Sequence, residues 1–600
     1  MQCTGAGVKL QPGSYQVQPD SALEAHILVT CLQTRTSAFE IDLSGSTLNA
    51  LVGGIYLNQC RGVTLHGPAT LTYTQSQYPY AQGTIKTVST DSLQYNIQIH
   101  ADFLQTWQRM LVVFANRESG GGVVYDGVTR LTLPLNRRGT DFVVDFSKTI
   151  QLNANTFAVT LVRYPGIIYV NDLVVVTQPT DAVGIACSSC SGCTVRDFIL
   201  PTAAGFAFYD GTPPGGNTWL NLALAPSKVP GSDGQLPLMS SIHDGFHCTS
   251  GKVGPTINNC QFVSTGDDGI AIHGRFSTVV KVIREEGALI LGAPILNPGE
   301  LNSGDTIVIY TPDGRRLGST NVVSVSVVTA PVPSSTYDNV FGSDYSRYSY
   351  LKVIVTMWQP GFVGMPAGSF VSPTSRVGNN YAITNCYIFN GRGRGLIVRA
   401  SQSLIQGNTI IHMTDTSIHM APGLDFSREA GFNEDMLVRD NYLEGEQQGI
   451  ILGANLHGST PFIYADNYNV RYINNTVVGS QTSPLTITSS GNVVVQNNRF
   501  INILCSATVD NTRDYPWQIQ KVAFQLANVY GIVFSGNSLT FNSGCARSQT
   551  NLNAPVYLVN VTHIVGAVNP TMSVAGTIVV GTAAIQQRPA VAGIQPAPKD

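Results

Sequence analysis

Charge is scarce in this chain. Only 12% of its 600 residues are Asp, Glu, Lys or Arg, and the formal net charge is −3. Without a basic face to neutralise phosphates, nucleic-acid binding is excluded as the main activity. Long apolar runs are lacking too: none reaches the roughly 18 residues that a membrane-spanning helix requires. The N-terminal MQCTGAGVKLQPGSYQ has no apolar h-region, so either a signal peptide has been removed or the protein is not exported. The cysteines number eleven, an odd count that leaves at least one outside any intramolecular pair. The run Cys187-Ser188-Ser189-Cys190-Ser191-Gly192-Cys193 lacks the second CxxC that a structural zinc site normally has. No metal and no cofactor is expected.

What is abundant is Gly (59 residues) and uncharged polar side chains, against an apolar fraction of 43%. That mixture suits short stacked strands joined by tight turns better than a helix bundle. Repeats are visible. ITNCYIF and IQGNTII place Asn385 and Asn408 23 residues apart, and YINNTVV and VQNNRFI place Asn475 and Asn498 at the same spacing. A repeat unit of two or three short strands cannot bury its apolar side chains alone and must stack on its neighbours. The expected fold is all-β: a right-handed parallel β-helix, a solenoid, with two small inserted antiparallel β-barrels. The Asn pattern vanishes over two segments with hairpin-like alternation. The expected organisation is therefore coils at 1–79, a barrel at 80–177, coils at 178–274, a second barrel at 275–372, coils at 373–585 and a flexible tail at 586–600.

The chemistry concentrates in SIHDGFHCTSGKVGPTINNCQFVSTGDDGIAIHGRF, residues 241–276. Asp244 and Asp267 are one apparent coil apart, and Asp268 is adjacent. Converging carboxylates raise one another's pKa, which leaves one group protonated near neutral pH beside an ionised partner. Glycosidic cleavage needs such an acid and base. Ordinary Asp-Gly turns and a Ca²⁺ site are the competing readings of the same residues. His243, His247 and His273 are candidates for binding sugar hydroxyls or tuning the carboxyls. Arg392 and Arg394 are candidates for clamping hydroxyls or holding a carboxylate ionised, and Glu429 for binding a hydroxyl.

Asp244-Gly245-Phe246 followed by Gly266-Asp267-Asp268 resembles the pattern of family 28 polygalacturonases, whose Gly-His-Gly and Arg-Ile-Lys motifs are absent here. HDGFHCTSGKVGPTINNCQF, TGDDGIAIHGRF, GRGRGLIVRASQSLIQGNTI and SREAGFNEDMLVRDNYLEG are more similar to glycoside hydrolase family 110, the α-1,3-galactosidases, over roughly residues 180–500. That resemblance implies an inverting exo-galactosidase with Asp244, Asp267 and Asp268 at its centre and a carbohydrate as its partner. Inversion requires acid and base roughly 6.5–9.5 Å apart. Asp267, with Asp268 beside it and Asp244 expected one coil below, should feel the most negative potential and serve as the acid. Asp244 and Asp268 should activate water. A Ca²⁺-dependent polysaccharide lyase and a non-catalytic carbohydrate-binding β-helix are the rival classes. Export with at least one disulfide is expected, in keeping with the sequons at Asn474 and Asn560.

Overall fold

The computed structural model describes the chain from residue 7 to residue 588, leaving out residues 18–26, 31–38, 134–141, 329–348, 506–521, 542–553 and several shorter stretches. Its main body is a parallel β-helix. Most coils contribute three short strands, and each strand pairs in parallel with its equivalents below and above. One wall runs through Val183–Ser188, Phe206–Gly211, Phe246–Thr249, Ile270–Arg275, Leu396–Val398, Thr416–Met420, Gln448–Leu452 and Leu485–Gln496.

Alternation within these strands sends every second side chain inward. Phe208, Phe246, Ile270, Leu396, Ile418, Ile450, Leu485 and Phe524 occupy one register column and are all buried. Each contributes about 1.5–3 kcal/mol through removal from water, and stacking on the neighbouring coils completes that burial.

A turn between the other two walls shows why Asn recurs. Asp197, Asn221, Asn259, Asn385, Gly407, Asp440, Asn474, Asn497 and Gly536 share one position, all with φ between 53° and 67°. Asn, Asp and Gly tolerate this left-handed conformation best. The next residue points inward and forms a ladder, Cys260, Cys386, Asn408, Asn441, Asn475, Asn498 and Asn537. From Asn408 to Asn537 each side-chain oxygen accepts from the coil below, while each Nδ2 donates to a carbonyl below it. Asn475 and Asn498 stack as their spacing predicts. Asn408 stacks on Cys386 instead of Asn385, because that coil spans 22 residues between equivalent positions.

Two closed antiparallel barrels interrupt the stack. The first contains Tyr80–Val88, Gln94–Ile99, Glu118–Tyr125, Phe142–Gln151, Thr156–Arg163 and Leu173–Thr177. Its helix, Leu104–Val113, seats Trp107 against Phe146 and Phe157. The second contains Ser277–Ile283, Ala288–Ala293, Thr306–Tyr310, Arg316–Val328, Ser349–Val355 and Phe370–Ser372. In each barrel the first and last strands are neighbours: Tyr80 pairs with Thr177, and Ser277 with Val371.

Cys60, Cys187, Cys190, Cys193, Cys248, Cys260 and Cys386 are buried thiols. Cys505 is exposed, and no disulfide pairing for it falls within the described residues. Cys3, Cys31, Cys545 and the tail beyond Arg588 lie outside them as well.

Candidate active site

The carboxylates sit in the turns that lead into the wall described first. Asp244-Gly245 precedes strand Phe246–Thr249, and Asp267-Asp268-Gly269 precedes Ile270–Arg275. Phe246 pairs with Ile270, Ile270 with Leu396, and Leu396 with Ile418. Asp244, Asp268 and Arg394 therefore stack in one column, and Asp267, Gly393 and Asp415 in the next. The sequence expectation that Asp244 lies beneath Asp267 is corrected: this coil spans 24 residues, so Asp268 is the group above Asp244. Strand register sets the step, and the turn length differs from coil to coil.

One oxygen from each of Asp244, Asp267 and Asp268 lies within 4.8 Å of the other two. The three converge, but more tightly than the roughly 6.5–9.5 Å on which inversion was argued. That geometric ground for inversion is lost. Gly393 permits the convergence. A Cβ there would lie 2.6 Å from Asp268 Oδ1 and 2.9 Å from the Asp267 carbonyl carbon. Gly393→Ala should displace Asp268 and lower turnover by about 10²-fold with the fold intact, as steady-state kinetics and circular dichroism would show.

Burial separates the three carboxyls. The side chains of Asp244 and Asp268 are 8% and 9% exposed, and that of Asp267 is 42% exposed. Desolvation, reinforced by Asp267 and Asp268, pushes the Asp244 carboxyl well above its usual range. Desolvation also raises Asp268, to about 6, although Arg394 opposes the rise. The expectation for Asp267 rested on its charged neighbours; the carboxyls that burial raises are Asp244 and Asp268. The backbone N–H of Asp268 donates to Asp244 Oδ1 at 3.2 Å. Asp244 Oδ2 lies 2.7 Å from His247 Nδ1. Burial pushes His247 down to about 3. A single proton between Asp244 Oδ2 and His247 Nδ1 is enough to join the two side chains.

Two arginines offset the remaining negative charge. Arg392 Nη1 is 3.3 Å from Asp267 Oδ1. The Arg394 N–H donates to Asp268 Oδ1 at 2.6 Å, and its guanidinium reaches Oδ2 at 3.5 Å.

The other sequence candidates divide into two groups. Phe206 packs its ring against His247 at 4.3 Å and His243 at 5.1 Å, beside the carboxyls. His273 lies behind His247, ring to ring at 5.0 Å, and is 3% exposed. Its Nδ1 hydrogen bonds to the Gly274 carbonyl, and its Nε2 lies 3.9 Å from Glu429. Glu429 forms an ion pair with buried Arg399 on the far side of the histidines.

Sequence reasoning missed Arg399, His419 and Asp415. Once the second barrel is excised, register places Arg399 over His273, and His419 in the column of His247, Ala271 and Ile397. Aligning DGIAIHG with RGLIVRA would have found Arg399. The first barrel also reaches this region. Thr132 donates from its N–H to Asn390 Oδ1 at 2.7 Å, and its carbonyl lies 3.0 Å from His412 Nε2.

No protein-family model matches the chain, and no curated protein does. Among solved structures it is similar to a mutant tailspike protein of E. coli bacteriophage HK620 in complex with a hexasaccharide: 8% identity, 94% of this chain, 59% of that one, TM-score 0.34. A mutant periplasmic alginate epimerase AlgG gives 8% identity over 93% of this chain and 85% of that one, TM-score 0.30. The Dettilon tailspike protein gives 9% identity over 89% of this chain and 59% of that one, TM-score 0.27. Likenesses this distant support no inference about activity.

Proposed function

We propose that the chain is a glycoside hydrolase that removes a terminal α-linked galactose, or a related sugar, from a glycan. The observation that carries the reading is the convergence of three carboxylates of unequal burial. A binding-only β-helix has no use for two desolvated carboxyls with raised pKa beside an exposed one. Cleavage does, because one group must deliver a proton to the leaving oxygen while another orients water.

Access assigns the roles. Asp267 is the member exposed to a substrate and serves as the acid in the fraction of molecules that carry its proton while Asp268 is ionised. Asp268, ionised above about pH 6, orients the water. Asp244 holds its proton toward His247. The sugar and its linkage rest on the family resemblance. They are tested by a screen of aryl α-galactosides and α-1,3-linked galactosides, with alginate and other polyuronates as the alternative substrates. Activity confined to polyuronates would overturn the galactosidase reading.

Two further outcomes follow. Arg392 and Arg394 already balance the carboxylates, so EDTA should leave the rate unchanged. Loss of activity restored by Ca²⁺ would favour a lyase. The acid limb of the kcat profile should fall near pH 6, where Asp268 takes up its proton. A limb well below that, in the ordinary carboxylate range, would remove Asp268 from the water-orienting role. We further propose that the protein acts outside the cell. Asn474, exposed at its turn, should carry an N-glycan on the protein from a eukaryotic secretory host, detected by a mobility shift on glycosidase treatment.

A further inference from the structure

Asp415 was singled out by no sequence motif, yet it is tied to the carboxyl cluster from the coil above. Arg394 stands between them. Its N–H and guanidinium engage Asp268 on one side, while its Nε lies 3.4 Å from Asp415 Oδ2 on the other. Thr416 Oγ1 donates to Asp415 Oδ1 at 3.0 Å and fixes that carboxylate. The Asp415 side chain is 17% exposed, so solvent screens the contact only in part.

We infer that Asp415 is a positioning residue: by sharing the charge of Arg394 it governs how readily Asp268 ionises. The inference rests on the hydrolytic reading of the site. The charged groups that act on Asp268 are Asp267 beside it, Arg394 above it and Asp415 above that, while Asp244 in the coil below holds its proton. His247, neutral through burial, contributes no charge. Removing the Asp415 charge acts twice in one direction. It frees the Arg394 charge for Asp268, and it deletes a negative neighbour that raises the Asp268 pKa. Both favour the ionised carboxylate.

The test is Asp415→Asn, read by the acid limb of the kcat profile and by ¹³C NMR titration of labelled Asp carboxyls. Both should move to lower pH by about one unit, with KM little changed, and Asp415→Glu should restore the wild-type profile. Should Asp415→Asn fail to fold, Asp415→Ser is read in the same way. A carboxyl titration that stays in place in the folded variant overturns the inference. The NMR shift needs no turnover. If it appears while every glycoside is left intact, the hydrolase reading falls and the role of Asp415 stands.

Discussion

An Asp267→Asn enzyme should hydrolyse an unactivated galactosyl disaccharide about 10²–10⁴-fold more slowly than wild type, yet lose far less on an aryl galactoside with a good leaving group. The reason is access. Of the three carboxyls, Asp267 is 42% exposed while its neighbours are under a tenth exposed. Only a group at the surface can reach the glycosidic oxygen as the bond lengthens. A nitrophenolate leaves without a proton, so the missing acid matters little to it. Arg392, 3.3 Å away, holds the side chain in place. The comparison is made with kcat/KM on the two substrates across pH. Equal losses on both would remove Asp267 from the acid role. Leaving-group dependence in Asp268→Asn instead would transfer the role to that residue.

Asn475→Ala should destabilise the solenoid by about 3–5 kcal/mol, through buried polar groups left unpaired at about 1–3 kcal/mol each. Asn475 Oδ1 accepts from the N–H and the Nδ2 of Asn441 at 3.1 and 2.9 Å. Its Nδ2 donates to the Val438 carbonyl and to Asn498 Oδ1, both at 3.0 Å. Alanine orphans two donors and a carbonyl in a dry interior and halves what Asn498 Oδ1 accepts. The adjacent Asn474 is the control. Asn474→Gly should change stability little, because Gly407 and Gly536 already occupy its left-handed position. Chemical denaturation of the two variants side by side decides the matter. Equal midpoints would show that the ladder contributes nothing beyond turn geometry.

The two Asn positions also show what could be read from the sequence. An Asn that recurs at a steady interval betrays the turn, and hence the solenoid, because few residues fit a left-handed turn followed by an inward polar ladder. The loss of that rhythm marked the barrels. The carboxyl cluster was legible for a related reason: Asp-Gly turns reappeared one coil apart. The pairing within the cluster was not legible. Coils of slightly unequal length change which aspartate lies above which, and only hydrogen-bond register fixes it. Burial was equally hidden. Asp267 and Asp268 are neighbours in sequence, yet their side chains are 42% and 9% exposed. Arg399 and Asp415 escaped notice because a whole barrel separates Arg399 from the strand it aligns with, and because Asp415 acts through another residue.

The hydrogen bonding of each barrel's first strand to its last has a kinetic consequence. An unstructured excursion of such length would burden the joining of two coils with about 4 kcal/mol of loop-closure entropy. A folded barrel returns the chain beside the point where it left, Thr177 next to Tyr80 and Val371 next to Ser277. To the growing stack, a completed barrel is then equivalent to a hairpin. Winding of the coils on either side should wait for barrel closure, and the slowest refolding phase should report on the solenoid, whose pairings span the barrels, after the barrels, whose pairings are local, have formed.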